Sequence, residues 1–252
     1  ELLNKGLAFY CSHAAPDESE KPTAHWCSER DGKSKAANAI IRFKTPRNQD
    51  MAFKDLIRGE IKMNTDIIGD FSIAKDIETP LYNFAAAVDD EAMQISHVLR
   101  GEDHIANTPK QILLAQSLGF KTPQYAHLPL VLGSDRSKLS KRHGPTSLTE
   151  FKERGYLPEA LVNFLALLGW NPGGEREIFS MKELIQQFSL EKVHSAGAIF
   201  DFAKLDWMNG EYIRKTTVSK LADLLLPFMD DAGLDADKMP REKLESIVAL
   251  EQ

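Results

Sequence analysis

Apolar positions along the chain change their spacing twice. Up to about residue 81, short apolar runs separated by polar loops predict strands. Ala39-Ile40-Ile41-Arg42-Phe43-Lys44 alternates toward Pro46, and Leu56–Ile61 and Phe71–Ala74 share that character. From there to about residue 144 the runs alternate in type. His97–Gly101 is a short apolar strand ending in polar residues. Thr108-Pro109 then opens a helix, with Thr at the N-cap and Pro at N1; Ile112, Leu113 and Leu118 carry it to a stop at Gly119. His127–Gly133 reads as a second, buried strand. Strand, helix, strand with polar loops at the strand ends is the pattern of a parallel α/β sheet. Beyond about residue 145 the period becomes helical. Leu161, Phe164, Leu165 and Leu168 line one face of a helix that Pro158 starts and Gly169 ends. Ser180–Glu183 is a capping box ahead of Leu184, Ile185 and Phe188. Asp201 caps a helix through Leu205 to Met208 that Asn209-Gly210 closes, and Val218–Ala232 is another amphipathic helix.

Composition narrows the class. The 252 residues are 42% hydrophobic and 27% charged, which suits one or two domains with real cores and excludes a disordered chain. No run of about eighteen apolar residues occurs, so no membrane span is expected. Two cysteines cannot build a disulfide scaffold and point to a reducing, cytoplasmic compartment. The chain begins at Glu1 without Met or leader pattern and stops directly after a helical stretch, which reads as an internal fragment.

A net charge of −6 argues, taken crudely, against a nucleic-acid binder. The charge is unevenly placed, however. Ser134–His143 holds four Lys/Arg and one Asp, a local +3 that leaves −9 on the rest. Lysine ammoniums on flexible stems can follow a triphosphate as charge moves, while Ser hydroxyls and loop N–H groups donate to phosphate oxygens. A solvated charge run is the plain alternative.

That decapeptide carries a resemblance. Lys138-Leu139-Ser140-Lys141-Arg142 is similar to the KMSKS signature of class I aminoacyl-tRNA synthetases, in the form used by glutamyl-tRNA synthetases. Leu99-Arg100-Gly101-Glu102-Asp103-His104 with Asn107–Leu114, and Thr79–Phe84 with Val88-Asp89-Asp90, resemble the second half of that family's catalytic core. Gly155–Leu161 to Gly169-Trp170, and Phe200-Asp201 to Asp206–Asn209, resemble the stem-contact region that follows it. The matches run in order along nearly the whole chain.

The resemblance implies an α/β fold in three segments: a connective α+β insertion over residues 1–81, the second half of a Rossmann-type catalytic domain over 82–144, and a helical stem-contact region over 145–252. It implies activation of glutamate by ATP, with Mg²⁺ neutralising the triphosphate, and transfer to the 3′ end of tRNA(Glu). A cytoplasmic monomer without membrane contact is expected. Lys141 stands where the family's catalytic lysine contacts ATP; Lys138 and His104 are further ATP-side candidates. Arg100 and Tyr82 stand where the family holds the amino acid, and a glutamate side chain suits a bidentate guanidinium. For Arg100 the rival reading is an ion pair with Glu102 or Asp103, and for Tyr82 a packing aromatic. His127, just inside its strand, reads as a core residue.

Family members often hold zinc in the connective insertion through ligand pairs one residue apart. Here Cys11-Ser12-His13 and Cys27-Ser28-Glu29 flank 13 residues. Carboxylate is a less usual fourth ligand. Two readings stand: zinc on Cys11, His13, Cys27 and Glu29, or two buried thiols without metal, the latter favoured by the departure from the pattern. His25 is a spare imidazole. The His-x-Gly-His type ATP motif of the first half does not occur, so the chain by itself is expected to be inactive. Rival functions are a non-catalytic tRNA-binding paralogue, a general nucleotide-binding regulator and a paralogue that glutamylates a tRNA base, the last disfavoured by the helical region after residue 145.

Overall fold

Strands β1 (Ala8–Cys11) and β2 (Ile40–Phe43) pair antiparallel, and β2 pairs with a third strand, Ser72–Ala74. The computed structural model to which they belong describes residues 1–13, 24–32, 39–235 and 238–252. It divides the chain into two units, Glu1–Leu130 and Val131–Gln252.

In the first unit a second, four-stranded sheet carries Asp55, Arg100 and His127. Strands β3 (Asp50–Asp55) and β4 (Gly59–Asn64) form a hairpin, and the strand at Ser72–Ala74 is β5. After α1 (Tyr82–Ala92) come β6 (His97–Gly101), α2 (Thr108–Leu118) and β7 (Gln124–Leu128). The sheet order is β4-β3-β7-β6, with β6 and β7 parallel in the register Arg100 to His127. The expected parallel α/β unit is thus present. Between β3 and β7 a single pair, Asp55 with Tyr125, carries the parallel connection. Helix α2 places Leu113 and Leu114 in a core with Ile41, Phe43, Phe71 and Ile73. Full burial of such side chains contributes about 1.5–3 kcal/mol each.

Three local expectations for this unit are corrected. Leu56–Ile61 is not one strand: the Asp55 carboxylate accepts the Ile57 and Arg58 N–H groups at 3.0 and 2.9 Å, and Gly59 takes φ +78°, so the chain turns there. The N-cap of α2 is Asn107 rather than Thr108, whose hydroxyl is engaged elsewhere. His127–Gly133 breaks after Leu128, since Pro129 has no N–H for the ladder, and resumes as β8 (Val131–Leu132).

The second unit is mostly helical. Strand β8 pairs parallel with β9 (Ala198–Ile199). The helices are α3 (Leu148–Glu153), α4 (Pro158–Leu167), α5 (Met181–Gln187), α6 (Phe202–Lys215), α7 (Val218–Asp231) and α8 (Arg241–Glu251). Phe151, Leu161, Phe164, Phe200, Leu205 and Met208 form its main core, and Ala222, Met229, Leu244 and Val248 a second one. Ser180 caps α5 and Asp201 caps α6 as expected. Helix α6 runs on through Asn209-Gly210, because the Asn209 amide holds the preceding loop instead: Oδ1 accepts from Leu157 N–H at 2.8 Å and Nδ2 donates to Gly155 C=O at 3.2 Å. Among the described residues no helix is long and apolar enough to cross a membrane.

Candidate functional site

The start of α1, strand β6 and its turn into α2 bring Tyr82, Arg100 and His104 together. The Arg100 Nη1 donates to the Tyr82 hydroxyl at 3.4 Å, and that hydroxyl lies 3.2 Å from His104 Nδ1. Tyr82 is 52% exposed, more than a packing aromatic would be. The rival ion pair for Arg100 is not formed with Glu102, which pairs with Arg58 and accepts from Leu130 N–H at 2.9 Å. Behind this cluster lies a network that sequence reasoning missed. Arg100 Nε donates to His127 Nε2 at 3.2 Å and Nη2 to Thr108 Oγ1 at 2.7 Å. His127 Nδ1 is 2.6 Å from Asp55 Oδ2, with both residues buried. Burial draws the imidazole below its ordinary pKa, against the opposing pull of Asp55. Burial resists ionisation of Asp55, but hydrogen bonds from the Arg58 N–H, the His127 ring and the Ile57 N–H hold its carboxyl below the usual range. The one local signal for this network is Asp55 four residues ahead of Gly59, a turn pattern.

In the second unit the basic decapeptide forms a hairpin-like loop on β8. Gly133 N–H donates to Ser137 C=O and Leu139 N–H to Val131 C=O, both at 2.9 Å. The His143 ring pins the loop from inside. Its Nδ1 accepts the Ser140 N–H at 3.1 Å, so its Nε2 carries the proton toward Asp135 Oδ1 at 3.2 Å. Donation from the Ser137 N–H first, then from the Ser137 hydroxyl and His143, lowers the Asp135 pKa to about 2. A Cβ on Gly133 would meet the His143 ring at 2.6 Å, which is why glycine stands there. Lys138 and Lys141 are both exposed on this framework, Lys141 opening a 3₁₀ turn capped by Ser140. Gly133, Ser134, His143, Phe200, Asp201 and Phe202 line a cavity of ≈ 430 Å³ beside the loop.

The third constellation joins β1 to the segment around Cys27. The donor atoms of Cys11, His13, His25 and Cys27 all lie within 4.8 Å of one another. Cys11 Sγ is 3.3 Å from Cys27 Sγ, 3.6 Å from His13 Nδ1 and 3.9 Å from His25 Nε2, and Cys27 Sγ is 3.5 Å from His13 Nδ1. Zinc–ligand bonds of about 2.0–2.3 Å give tetrahedral edges of about 3.3–3.8 Å; three of these four separations fall in that range and the fourth just beyond it, so the donor types and spacing suit that ion. Burial, and then the Cys11 hydrogen bond, push the Cys27 thiol up to about 11. The expected fourth ligand, Glu29, is placed differently. Its carboxylate accepts from the Ser12 hydroxyl and, at 2.6 Å, from the Ser12 N–H. His25 is the fourth donor of the cluster. The signal was in the spacing: His25-Trp26-Cys27 mirrors Cys11-Ser12-His13. Much of the intervening loop lies outside the described residues.

Residues 8–207 match the family described as "tRNA synthetases class I (E and Q), catalytic domain". The chain belongs to this family. Among class I (E and Q) synthetases it is 48% identical to the glutamate–tRNA ligase of Carboxydothermus hydrogenoformans over 94% of this chain and 47% of that protein. It is 49% identical to that of Aquifex aeolicus over 98% of this chain and 56% of the relative. A crystal structure of a glutamate tRNA ligase from Elizabethkingia meningosepticum, in complex with its amino acid, superposes with a TM-score of 0.76 at 34% identity, covering 84% of this chain and 45% of that one. The chain therefore spans about half the length of the curated relatives that it matches. The resemblance drawn from the basic loop and the β6 segment is that of the family shown.

Proposed function

We propose that this synthetase chain is part of a glutamate–tRNA ligase, which joins glutamate to ATP as glutamyl-adenylate and transfers the acyl group to the 3′ end of tRNA(Glu). The observation that carries the reading is Arg100. Its guanidinium, braced by the sheet behind it and bonded to the exposed Tyr82 hydroxyl, is the fixed, planar cation that recognition of a side-chain carboxylate requires. Attack of the glutamate α-carboxylate on the α-phosphate of Mg²⁺-ATP breaks the bond to the β-phosphate, releases pyrophosphate and builds charge on the phosphoryl oxygens, and Lys141, exposed on a pinned loop, is the cation assigned to it. Lys138 and His104 are assigned to ATP binding. The connective insertion, Rossmann-type half and stem-contact region occupy 1–81, 82–144 and 145–252 in this reading, in a cytoplasmic monomer. Zinc on Cys11, His13, His25 and Cys27 would tie β1 to the Cys27 segment as a structural clamp, without a part in the chemistry.

The test is pyrophosphate exchange by the full-length protein that carries this chain, with tRNA present. Glutamate is expected to support exchange, and Lys141→Ala to slow it by a factor on the order of 100. Absence of glutamate-dependent exchange, or an unaltered rate in Lys141→Ala, would overturn the assignment.

A further inference from the structure

The parallel register sets Arg100 directly beside His127, and the chemistry of the contact fixes the imidazole. An arginine Nε–H can only donate, so the His127 Nε2 that meets it at 3.2 Å is an acceptor. The proton then sits on Nδ1, 2.6 Å from the Asp55 carboxylate. Asp55 is held in turn by the Ile57, Arg58 and His127 backbone N–H groups. The imidazole is therefore neutral and has a single tautomer, chosen by a carboxylate from the neighbouring hairpin.

Counting donors shows what this leaves at Arg100. Of five N–H groups, Nε–H goes to His127, one Nη2–H to Thr108 and one Nη1–H to Tyr82. Among the described residues one Nη1–H and one Nη2–H are left without a partner, one on each terminal nitrogen. The plane is also set, because the guanidinium carbon lies 5.5 Å from the ring centre of Tyr125, which stacks on His127 at 6.2 Å and 9°. A flexible side chain thus reaches its working orientation before any ligand arrives.

We propose that Asp55 and His127 are positioning residues: this buried carboxylate–imidazole pair locks the inner edge of Arg100 and presents its outer N–H pair to the substrate's side-chain carboxylate. The proposal rests on the assignment of Arg100 to glutamate made above. It differs from a plain structural role, in which the pair only fastens the β3–β4 hairpin to β7.

Two substitutions separate these roles. His127→Gln keeps an acceptor where Nε2 stands, whereas His127→Asn keeps a donor toward Asp55 and withdraws the acceptor from Arg100. Both are measured in the full-length protein for the glutamate KM, the ATP KM, kcat and thermal midpoint. Positioning predicts that His127→Asn raises the glutamate KM about tenfold or more, equivalent to ~1.4 kcal/mol. The ATP KM and kcat stay within about twofold, as befits lost ground-state binding, and His127→Gln recovers most of the loss. Asp55→Asn gives a second reading. Its amide would turn a donor toward Nδ1, invert the tautomer and aim Nε2–H at Arg100, so the glutamate KM again rises. Equal KM values in the Asn and Gln variants, or lowered midpoints with an unchanged glutamate KM, overturn the positioning role alone. An Arg100→Lys variant with unchanged glutamate KM overturns this role together with the assignment of Arg100.

Discussion

Replacing His25 by Asn removes one of four clustered donors, whereas replacing Glu29 by Gln alters a neighbour that is bonded to Ser12. Four donor atoms within 4.8 Å of one another supply the ligand number of a structural zinc site. Structural zinc sites of this type bind with about 10–16 kcal/mol, so one ligand in four carries on the order of 3 kcal/mol, or more than 100-fold in affinity. Glu29 instead bonds Ser12, and its carboxylate lies 3.8 Å from His13 with 38% of the side chain exposed. An exposed pair of that kind is screened by solvent and contributes little, so zinc affinity should change by no more than a few-fold. The assay is zinc content by atomic emission after dialysis, followed by competition with a chromophoric chelator. His25→Asn should lose stoichiometric zinc and Glu29→Gln should keep it. Equal loss in both variants, or a native protein without zinc under these conditions, refutes the reasoning.

Acid should weaken the fold in two stages. Burial lowers the His127 pKa, so the unfolded chain takes up that proton first; stability is intact above about pH 6.5 and falls as the pH drops below it. Asp55, also lowered, contributes stability above about pH 3.9 that is lost on further acidification, and urea titrations of the native chain and His127→Gln at several pH values should show a smaller first stage in the variant, the remainder coming from His25, which burial also lowers. In the helical unit Leu205 is fully buried among Phe151, Phe164 and Phe200, and Leu205→Ala should lower stability by about 2–5 kcal/mol in urea denaturation.

Spacing and caps revealed most elements because those signals are local. Ser180 and Asp201 cap where expected, and Gly119 ends α2 in the left-handed conformation with φ +77°. The failures share a cause: a polar side chain that serves a distant partner instead of its own segment. Asp55 turns the chain at two apolar residues, Leu56 and Ile57, whose pattern reads as strand. Thr108 leaves the N-cap position to bond Arg100, and Asn209 leaves the helix end to hold Gly155 and Leu157. Motifs brought out Arg100, Tyr82, His104 and the two lysines, since each lies in a contiguous signature. His127 reads as core and is indeed fully buried, but nothing local shows that its ring joins Asp55 to Arg100. His25 was overshadowed by the family spacing, although its own spacing from Cys27 repeats that of the first pair.

The link between Asp55 and His127 joins residues 72 positions apart, and the hairpin meets β7 through one ladder pair. Its formation closes a long loop, an entropic cost of about 3.8 kcal/mol beyond a constant term. The β3–β4 turn needs only neighbouring residues, so it forms early, whereas its docking waits for α2 and β7. During synthesis the braced orientation of Arg100 thus cannot exist until residue 127 has emerged. Pulse labelling of amide exchange during refolding would read that order, with the His127 N–H protected after those of the β3–β4 ladder. The orientation of Arg100 is consequently acquired late in the formation of the first unit, completed by a residue 27 positions further along the chain.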